Sequence, residues 1–407
     1  MRKTKLISML LAMSVTAAAL AGCGAAPAAS GTASSDASAS TAAASGDKVV
    51  KIGVFEPASG DNGAGGKQET LGIQYANSET PTVEIGGEEY TVQLVVVDNQ
   101  SSTEKGPSAA QQLVSEGVSV VLGSYGSGVS IAASDVFKNG GVPAIGVTCT
   151  NPQVTEGNDH YFRICFLDPF QGTVLANYAS KTLGAKKAYC LSKLGDDYSA
   201  GLVNYFVEAF KALGGEVVEE SFPEGNSDFT SYITNAKSQD CEVFFSPVSI
   251  EAAANIIEQA ASQGLTIPLL AGDTWDSNVV SGTAQGKDVE ICVTTFYQEG
   301  AVPEFDEGLK AYINGDSTAL ANNGGNDMIA AVSAMGYDAY YVALEALKAA
   351  GSTDPAAVQA AIPGVVYTGV SGKIAFNETG DAERDTAYVK KANNETGEWD
   401  FVAEQGI

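Results

Sequence analysis

The stretch 118-VSVVLGSYGSGVSIAASDVFKNGGVPAIGV-147 decides the fold of this chain. Its two ends, 118–124 and 142–147, are short apolar runs, which predicts two buried β-strands. Between them, 128–138 carries its apolar residues at helical spacing. A strand, a helix and a second strand in that order form a βαβ unit, whose parallel strands are covered on both faces.

The same alternation of strands and helices runs along most of the chain. Helices that separate near-continuous apolar strands indicate parallel sheets with helices on both faces. Beyond the opening unit, we predict strands at 48–56, 90–98, 186–192, 215–222, 241–247, 267–272, 289–297, 371–376, 386–392 and 399–404, and helices at 67–78, 103–116, 198–213, 227–237, 250–263, 303–313 and 324–349.

The order of these segments predicts two lobes. Two series of strands and helices, separated near residue 167, imply an α/β fold of two doubly wound parallel-sheet lobes. Helical periodicity returns after 297 and strand-like segments end the chain, so we expect three crossings, near 167, 297 and 368, that form a three-strand hinge. The predicted lobe 1 comprises 48–167 and 298–367, and the predicted lobe 2 comprises 168–297 and 368–407.

The N-terminus has the pattern of an export signal. Three basic residues within the first five precede an apolar run at 6–20. The stretch Leu20-Ala21-Gly22-Cys23 resembles the lipobox of bacterial lipoproteins, which implies a signal peptide at 1–22 that is cut before an acylated Cys23. An uncleaved N-terminal anchor is the alternative. Residues 23–47 contain no large apolar side chain after Cys23, so they predict a flexible tether.

Charge and length restrict the partners of the chain. The formal net charge is −27, and loss of the three basic residues of the signal would make the mature chain more acidic still. A field of this sign repels nucleic acid and anionic lipid, so we expect neither as a partner, and contact with the membrane only through the lipid. The part after the tether is too long for one hydrophobic core and suits two lobes.

Cysteine and histidine usage argues against metal and hydrolase chemistry. Cys149, Cys165, Cys190, Cys241 and Cys292 remain besides Cys23, and their apolar neighbours favour buried thiols, with disulfide pairing left open. His160 is the single histidine of the sequence, so zinc sites and histidine-assisted serine catalysis lack ligands and bases. We therefore expect no catalytic residue, no metal and no cofactor.

A glycine-rich turn follows the first predicted strand. The stretch 53-GVFEPASGDNGAGGKQETLG-72 approaches the phosphate-binding motif G-x-x-x-x-G-K-[S/T]. The spacing from Gly60 to Gly66 is one residue too long, and Gln68 stands where a hydroxyl would hold magnesium. The turn therefore does not predict a nucleotide site.

Nine short blocks give the chain a family resemblance. It resembles the leucine/isoleucine/valine-type extracellular solute-binding proteins of ABC importers, which have the type I periplasmic-binding fold. The likeness covers about 50–402. It rests on KIGVFEPASG, VVVDNQSSTEKGPSAAQQLV, VSVVLGSYGSGVSIAASDVF, GVPAIGVTCTNPQVT, YFRICFLDPFQG, GDDYSAGL, AGDTWDS, GYDAYYVALEAL and TGVSGKIAFNETGD, in this order.

The resemblance implies a carboxylate site in the first lobe. It assigns the α-carboxylate of an amino acid to Ser127, at the start of a helix where free N–H groups and the dipole favour anions. Ser124 and Tyr125 are expected to line the same pocket. Thr148 and Thr150 would supply a backbone carbonyl and a hydroxyl. The alternatives are that Ser127 only caps its helix and that the threonines only end a strand.

The resemblance places the remaining contacts in the second lobe. Tyr198 matches a ring that closes over the ligand, and Asp273 is the preferred acceptor for the ammonium, with Trp275 beside it. The register of this segment leaves Asp276 as an alternative, and either aspartate could instead cap a helix. The family often has an aromatic ring where this chain has Gly65, so we expect an open wall there and room for a bulkier or more polar side chain.

These inferences combine into one functional expectation. The chain is expected to be a lipid-anchored solute-binding protein on the extracytoplasmic face of a bacterial membrane, which captures an amino acid between two lobes and delivers it to an ABC permease. The alternatives are a sensory ligand-binding domain and a binding protein for a solute that is not an amino acid. A secreted hydrolase is disfavoured because the sequence has no G-x-S-x-G motif.

Overall fold

The computed structural model of the protein describes residues 48–406. The predicted signal peptide, the tether and Cys23 lie outside the described residues. Within them, the chain forms two mixed sheets, each covered by helices, and the predicted α/β fold with two lobes is confirmed.

The first sheet has six strands in the order β2-β3-β1-β4-β5-β6. Strands β2 and β3 pair antiparallel, and every other neighbouring pair is parallel. The buried side chains of β1, such as Ile52 and Val54, place this sheet at the centre of the lobe. The strands are β1 Val49–Glu56, β2 Thr82–Ile85, β3 Glu88–Asp98, β4 Val120–Gly123, β5 Ala144–Gly146 and β6 Tyr161–Arg163.

The second sheet has seven strands, and a hairpin lies between its parts in the chain. The strands are β7 Lys187–Lys193, β8 Glu216–Phe222, β9 Val243–Phe245, β10 Leu269–Ala271, β11 Ile291–Thr295, β14 Ala387–Asn393 and β15 Glu398–Gln405, and the hairpin is β12 Val366–Gly369 with β13 Gly372–Ala375. Their order in the sheet is β15-β14-β11-β10-β9-β7-β8. Pairing is antiparallel only from β11 to β15, at one edge.

Twelve α-helices cover the sheets in residues 48–406. They are α1 Gly63–Glu79, α2 Gly106–Glu116, α3 Ser127–Gly140, α4 Asp168–Asn177, α5 Asp197–Ala212, α6 Thr230–Ser238, α7 Ile250–Ser262, α8 Asn278–Ala284, α9 Pro303–Gly315, α10 Ser317–Asn322, α11 Ala331–Ala350 and α12 Pro355–Ala361. Helices α1 and α11 approach so closely that a Cβ on Gly72 would lie 1.9 Å from the Ser333 carbonyl oxygen. Glycine is therefore required at this crossing.

The chain leaves the first sheet once and enters the second sheet twice. Residues up to Arg163 belong to the first sheet, and those from Lys187 to Thr295 belong to the second. The helices α9 to α12 follow, and the chain re-enters the second sheet at Ala387. The predicted lobe limits near 167, 297 and 368 stay predictions.

The largest difference in a predicted helix start is at α11. The expected helix at 324–349 starts at Ala331, because Gly324 and Gly325 have φ of 78° and 85° and end the helical path. The loop is held by the Asn323 side chain, which donates to the carbonyls of Asn326 (2.8 Å) and Met328 (3.0 Å). These bonds offer the backbone an alternative to helix.

The five cysteines from Cys149 to Cys292 are all buried free thiols, which confirms that interpretation. Among the helices of residues 48–406, none has both the length and the hydrophobicity needed to cross a bilayer.

Candidate functional site

A cavity of about 60 Å³ lies where the carboxyl ends of strands from both sheets meet. Loops that follow β1, β3, β4 and β5 reach it from one lobe, and loops that follow β7, β9 and β10 reach it from the other. This is the position at which open α/β sheets bind ligands. Its lining is Pro57, Asp61, Asn62, Asn99, Ser101, Thr103, Ser124, Tyr125, Gly126, Ser127, Gly128, Val129, Thr148, Lys193, Asp196, Tyr198, Ser249, Asp273 and Thr274.

Six of the predicted site residues lie in this lining, and two do not. Ser124, Tyr125, Ser127, Thr148, Tyr198 and Asp273 line the cavity, whereas Thr150 and Trp275 are buried outside its lining. Contact of any of these residues with a solute stays a prediction.

The start of α3 presents hydrogen-bond donors to the cavity. The first intrahelical bond runs from the Ser130 N–H to the Gly126 carbonyl (3.0 Å), so the N–H groups of Ser127, Gly128 and Val129 have no acceptor within the helix. The Ser127 hydroxyl oxygen accepts from the Asn151 N–H (3.2 Å), which leaves its proton free to donate. The helix end therefore favours an anionic group.

Tyr125 occupies the space that the sequence left open at Gly65. A Cβ on Gly65 would lie 2.5 Å from the Tyr125 ring, so no larger residue fits there while the ring keeps its place. The expected open wall is therefore wrong, because a ring from the loop after β4 fills it. The Tyr125 hydroxyl also donates to the Thr274 carbonyl (3.2 Å), a contact that joins the two lobes.

Two buried carboxyl groups support the cavity from behind. Glu69 accepts a hydrogen bond from the Thr148 hydroxyl (2.5 Å), and Glu56 accepts from the Tyr125 N–H (2.6 Å). Burial raises the pKa of Glu56 well above its ordinary value, and the neighbouring Glu69 raises it further. Burial also raises the pKa of Glu69. The pair therefore favours holding a proton, and it fixes the two cavity residues in front of it.

Thr150 lies outside the cavity lining, next to Asp168. Both residues are fully buried, and neither the Thr150 hydroxyl nor the Asp168 carboxyl oxygens have a hydrogen-bond partner in residues 48–406 within ordinary geometry. Burial raises the pKa of Asp168 to about 8, so this group favours the neutral form. The prediction that Thr150 contacts a ligand has no support from the cavity lining.

Asp273 is one of two acidic residues of the second lobe that line the cavity, with Asp196. It begins a short 3₁₀ turn, Asp273–Trp275, directly after β10. Its Oδ1 accepts from the Gln171 amide (2.8 Å) and from the Tyr198 hydroxyl (3.0 Å). Burial raises the pKa of Asp273 to about 7, even though both of these bonds lower it. The carboxylate therefore has neutral donors but no cationic partner among the described residues.

Asp276 and Trp275, in the same loop, contact the interior of the lobe. Asp276 forms a buried ion pair with Lys390 (3.0 Å) and also accepts from the Thr295 hydroxyl. Trp275 is fully buried, and its indole N–H donates to the Val248 carbonyl (3.0 Å). The loop therefore presents Asp273 to the cavity and keeps Asp276 and Trp275 inside the lobe.

Two cavity residues just before Gly63 contact the other lobe. Asp61 pairs with Lys193 of β7 (2.9 Å), and the Asn62 side-chain oxygen accepts from the Ile250 N–H (3.2 Å) at the start of α7. Lys193 also contacts Glu224 (2.7 Å). Sequence reasoning did not single out Lys193. Its position at the carboxyl end of a predicted strand is the signal that could have found it.

Two lobes with a cavity between them are the arrangement of proteins that close around a small ligand. The sequence model of the family described as "Periplasmic binding protein" matches residues 49–396. The chain belongs to this family, as the resemblance indicated. A family of solute-binding proteins also confirms that the chain is not an enzyme.

Relatives and solved structures agree with this assignment. The chain is 31% identical to Leu/Ile/Val-binding protein homolog 1 of Brucella abortus over 338 residues, which covers 82% of this chain and 87% of the relative. A leucine binding protein from Thermotoga maritima superposes with a TM-score of 0.77 and 32% identity, over 88% of this chain and 99% of that one. A solute binding protein of R. palustris in complex with benzoate shares the fold, with a TM-score of 0.74, 20% identity and coverage of 88% and 96%.

In residues 48–406, no group of three histidine, cysteine, aspartate or glutamate side chains is placed to hold a metal ion.

Proposed function

We propose that this chain captures an amino acid, of the branched-chain type or a related zwitterion, and delivers it to an ABC permease. The observation that carries the proposal is the opposite polarity of the two cavity walls. Lobe 1 offers the N–H groups at the start of α3 and the Ser127 hydroxyl. Lobe 2 offers Asp273, which has no cationic partner in the described residues. An α-carboxylate and an ammonium would complement these walls.

The relatives support the same solute class. The Brucella abortus relative is named for leucine, isoleucine and valine, and the Thermotoga maritima structure is named for leucine. The contacts that cross the cavity, Asp61 with Lys193 and Tyr125 with Thr274, would close the lobes around the solute. A solute that binds between the lobes stabilises the closed state.

Calorimetry with matched analogues tests this proposal. Amino acids should bind, and the corresponding carboxylic acids without an ammonium and amines without a carboxylate should each bind at least about tenfold more weakly. A thermal-shift screen of the same compounds gives an independent readout, since a hundredfold excess over Kd adds about 2.7 kcal/mol of apparent stability. Tight binding of a benzoate-like acid, with no amino acid bound, would contradict the proposal.

The lipid anchor and the permease are tested separately. We propose that Cys23 carries the lipid, so Cys23→Ser should release the protein from membranes into the medium or periplasm. If the variant still sediments with membranes as an uncut precursor, the anchor is not a lipid. A reconstituted permease from the same organism should hydrolyse ATP faster when the solute-loaded protein is added, and a sensory domain would leave that rate unchanged.

A further inference from the structure

The chemistry of the cavity lining points to the side chain of the solute. Two hydrocarbon side chains, Pro57 and Val129, lie in the lining that the described residues provide. Two tyrosine rings join them, and both hydroxyls are engaged, Tyr125 with the Thr274 carbonyl and Tyr198 with Asp273. The remaining lining residues are glycines or carry polar side chains. Pockets for aliphatic groups are lined mainly by hydrophobic side chains, whereas polar side chains outnumber hydrocarbon ones in this lining.

The polar residues leave hydrogen-bonding groups of both kinds available. The Asn62 oxygen accepts from the Ile250 N–H, which fixes the amide so that its nitrogen remains a donor. One oxygen of Asp196 accepts from the Ser199 N–H (2.9 Å), which leaves the other as an acceptor. A hydroxyl or a carboxamide can both donate and accept. An alkyl group can do neither, and would leave the Asn62 nitrogen and the second Asp196 oxygen without a partner on the solute.

Charge disfavours acidic side chains, and the cavity volume favours a small solute. The charge of Lys193 is already met by Asp61 and Glu224, and Asp273 is assigned to the ammonium, so the remaining unpaired charge of the lining is that of Asp196. It is negative and would repel a second carboxylate on the solute. A cavity volume of about 60 Å³ favours a small solute.

We propose that the solute is an amino acid with a short, neutral side chain that forms hydrogen bonds, of the serine, threonine or asparagine class. This inference rests on the proposed function, because it takes the carboxylate and ammonium positions from it. It departs from the aliphatic ligands in the names of the relatives. The residues that set the preference are Asn62 and Asp196, on opposite lobes of the cavity.

Isosteric pairs test the inference on the full mature chain. Calorimetry compares threonine with valine, asparagine with leucine, and serine with alanine, so that each pair differs mainly in the polar group. In the pair that contains the tightest ligand, the polar member should bind at least about tenfold more tightly. If valine or leucine binds as tightly as its polar partner, the inference is wrong and the proposed function stands. If no amino acid binds, the proposed function itself fails.

A variant separates recognition of the side chain from general damage to the site. Asn62→Asp keeps an oxygen for the Ile250 N–H and removes the donor. We expect the ratio of serine to alanine affinity to fall about threefold to tenfold. A merely structural defect would weaken both ligands equally and leave the ratio unchanged, which would overturn the role of Asn62. Asn255→Asp, on α7 outside the cavity lining, is the matched control.

Discussion

Asp273 and Asp276 lie three residues apart in the same loop, and the fold treats them in opposite ways. Both are almost completely buried, with 3% and 2% of their surfaces exposed. Asp276 has a cation, Lys390, at 3.0 Å, whereas Asp273 has only the neutral donors Gln171 and Tyr198. The charge of a paired carboxylate is compensated within the fold, whereas an unpaired one favours the approach of a cationic group.

The two regions should therefore respond differently to the loss of charge. A buried carboxylate without a cation destabilises the ligand-free protein, since burial disfavours its ionised form. The ammonium of a bound solute would remove that penalty. Mutations of Asp276 or of its partner Lys390 should change folding stability. Mutations of Asp273 or of its donors should change affinity.

The largest expected effect is on stability, at the Asp276 side. Lys390→Met leaves the Asp276 charge buried without its partner, so the free energy of unfolding should fall by about 3 to 5 kcal/mol. Urea denaturation measures it. The double variant Asp276→Asn with Lys390→Met removes both charges and should recover much of the loss. If the single variant is as stable as the parent, the ion pair is not what stabilises this loop.

The next effect is on affinity, at the Asp273 side. Asp273→Asn keeps the size of the side chain and removes its charge, so the amino acid should bind at least about tenfold more weakly, or about 1.4 kcal/mol. The ligand-free protein should be as stable as the parent or more so at neutral pH. Normal binding with reduced stability would give Asp273 a structural role like that of Asp276.

Ser127→Ala gives the corresponding test on the opposite wall. The variant removes the hydroxyl donor at the start of α3, and we expect affinity to fall at least about tenfold, because hydrogen bonds to charged groups contribute roughly 1.5 to 3 kcal/mol. The Ser134→Ala variant, further along the same helix and outside the cavity lining, is the control. Equal affinities of the two variants would remove Ser127 from the site.

The pH dependence of binding sharpens the comparison further. Burial raises the pKa of Asp273 to about 7, and the nearby Asp276 charge adds to the effect. Since an ammonium binds the ionised form, affinity should be full above pH 7 and be lost as pH falls through it, about tenfold between pH 8 and pH 6. Calorimetry at several pH values measures this. Asp273→Asn should flatten the profile; an unchanged profile would assign it to another group, such as Glu69.

The smallest effect is expected at the neutral donors of Asp273. Tyr198→Phe keeps the ring and removes the hydroxyl bond of 3.0 Å to Asp273. Because a single hydrogen bond contributes about 0.5 to 1.5 kcal/mol, affinity should fall roughly twofold to tenfold, with the midpoint of the pH profile moved upward. A loss as large as that of Asp273→Asn would mean that the hydroxyl bond also fixes the position of the Tyr198 ring.

Several parts of the site could be predicted from the sequence. Ser127 and Asp273 follow β4 and β10, and ligands of open α/β sheets bind at the carboxyl ends of strands. The fold followed from the alternation of apolar strands and helices, because period and burial are properties of neighbouring residues. The start of α11 could not be placed, since side-chain bonds of Asn323 and Asn278 hold the loop before it.

The remaining features were decided only by the tertiary structure. The sequence alone determined the alternation of strands and helices, that the chain has two lobes, and that the loops after β4, β5, β7 and β10 reach the candidate site. It did not determine that Tyr125 fills the space beside Gly65, or that Lys390 pairs with Asp276 and leaves Asp273 without a cation. These contacts join residues far apart in the chain, and the charge state and shape of the cavity depend on which distant side chains packing brings together.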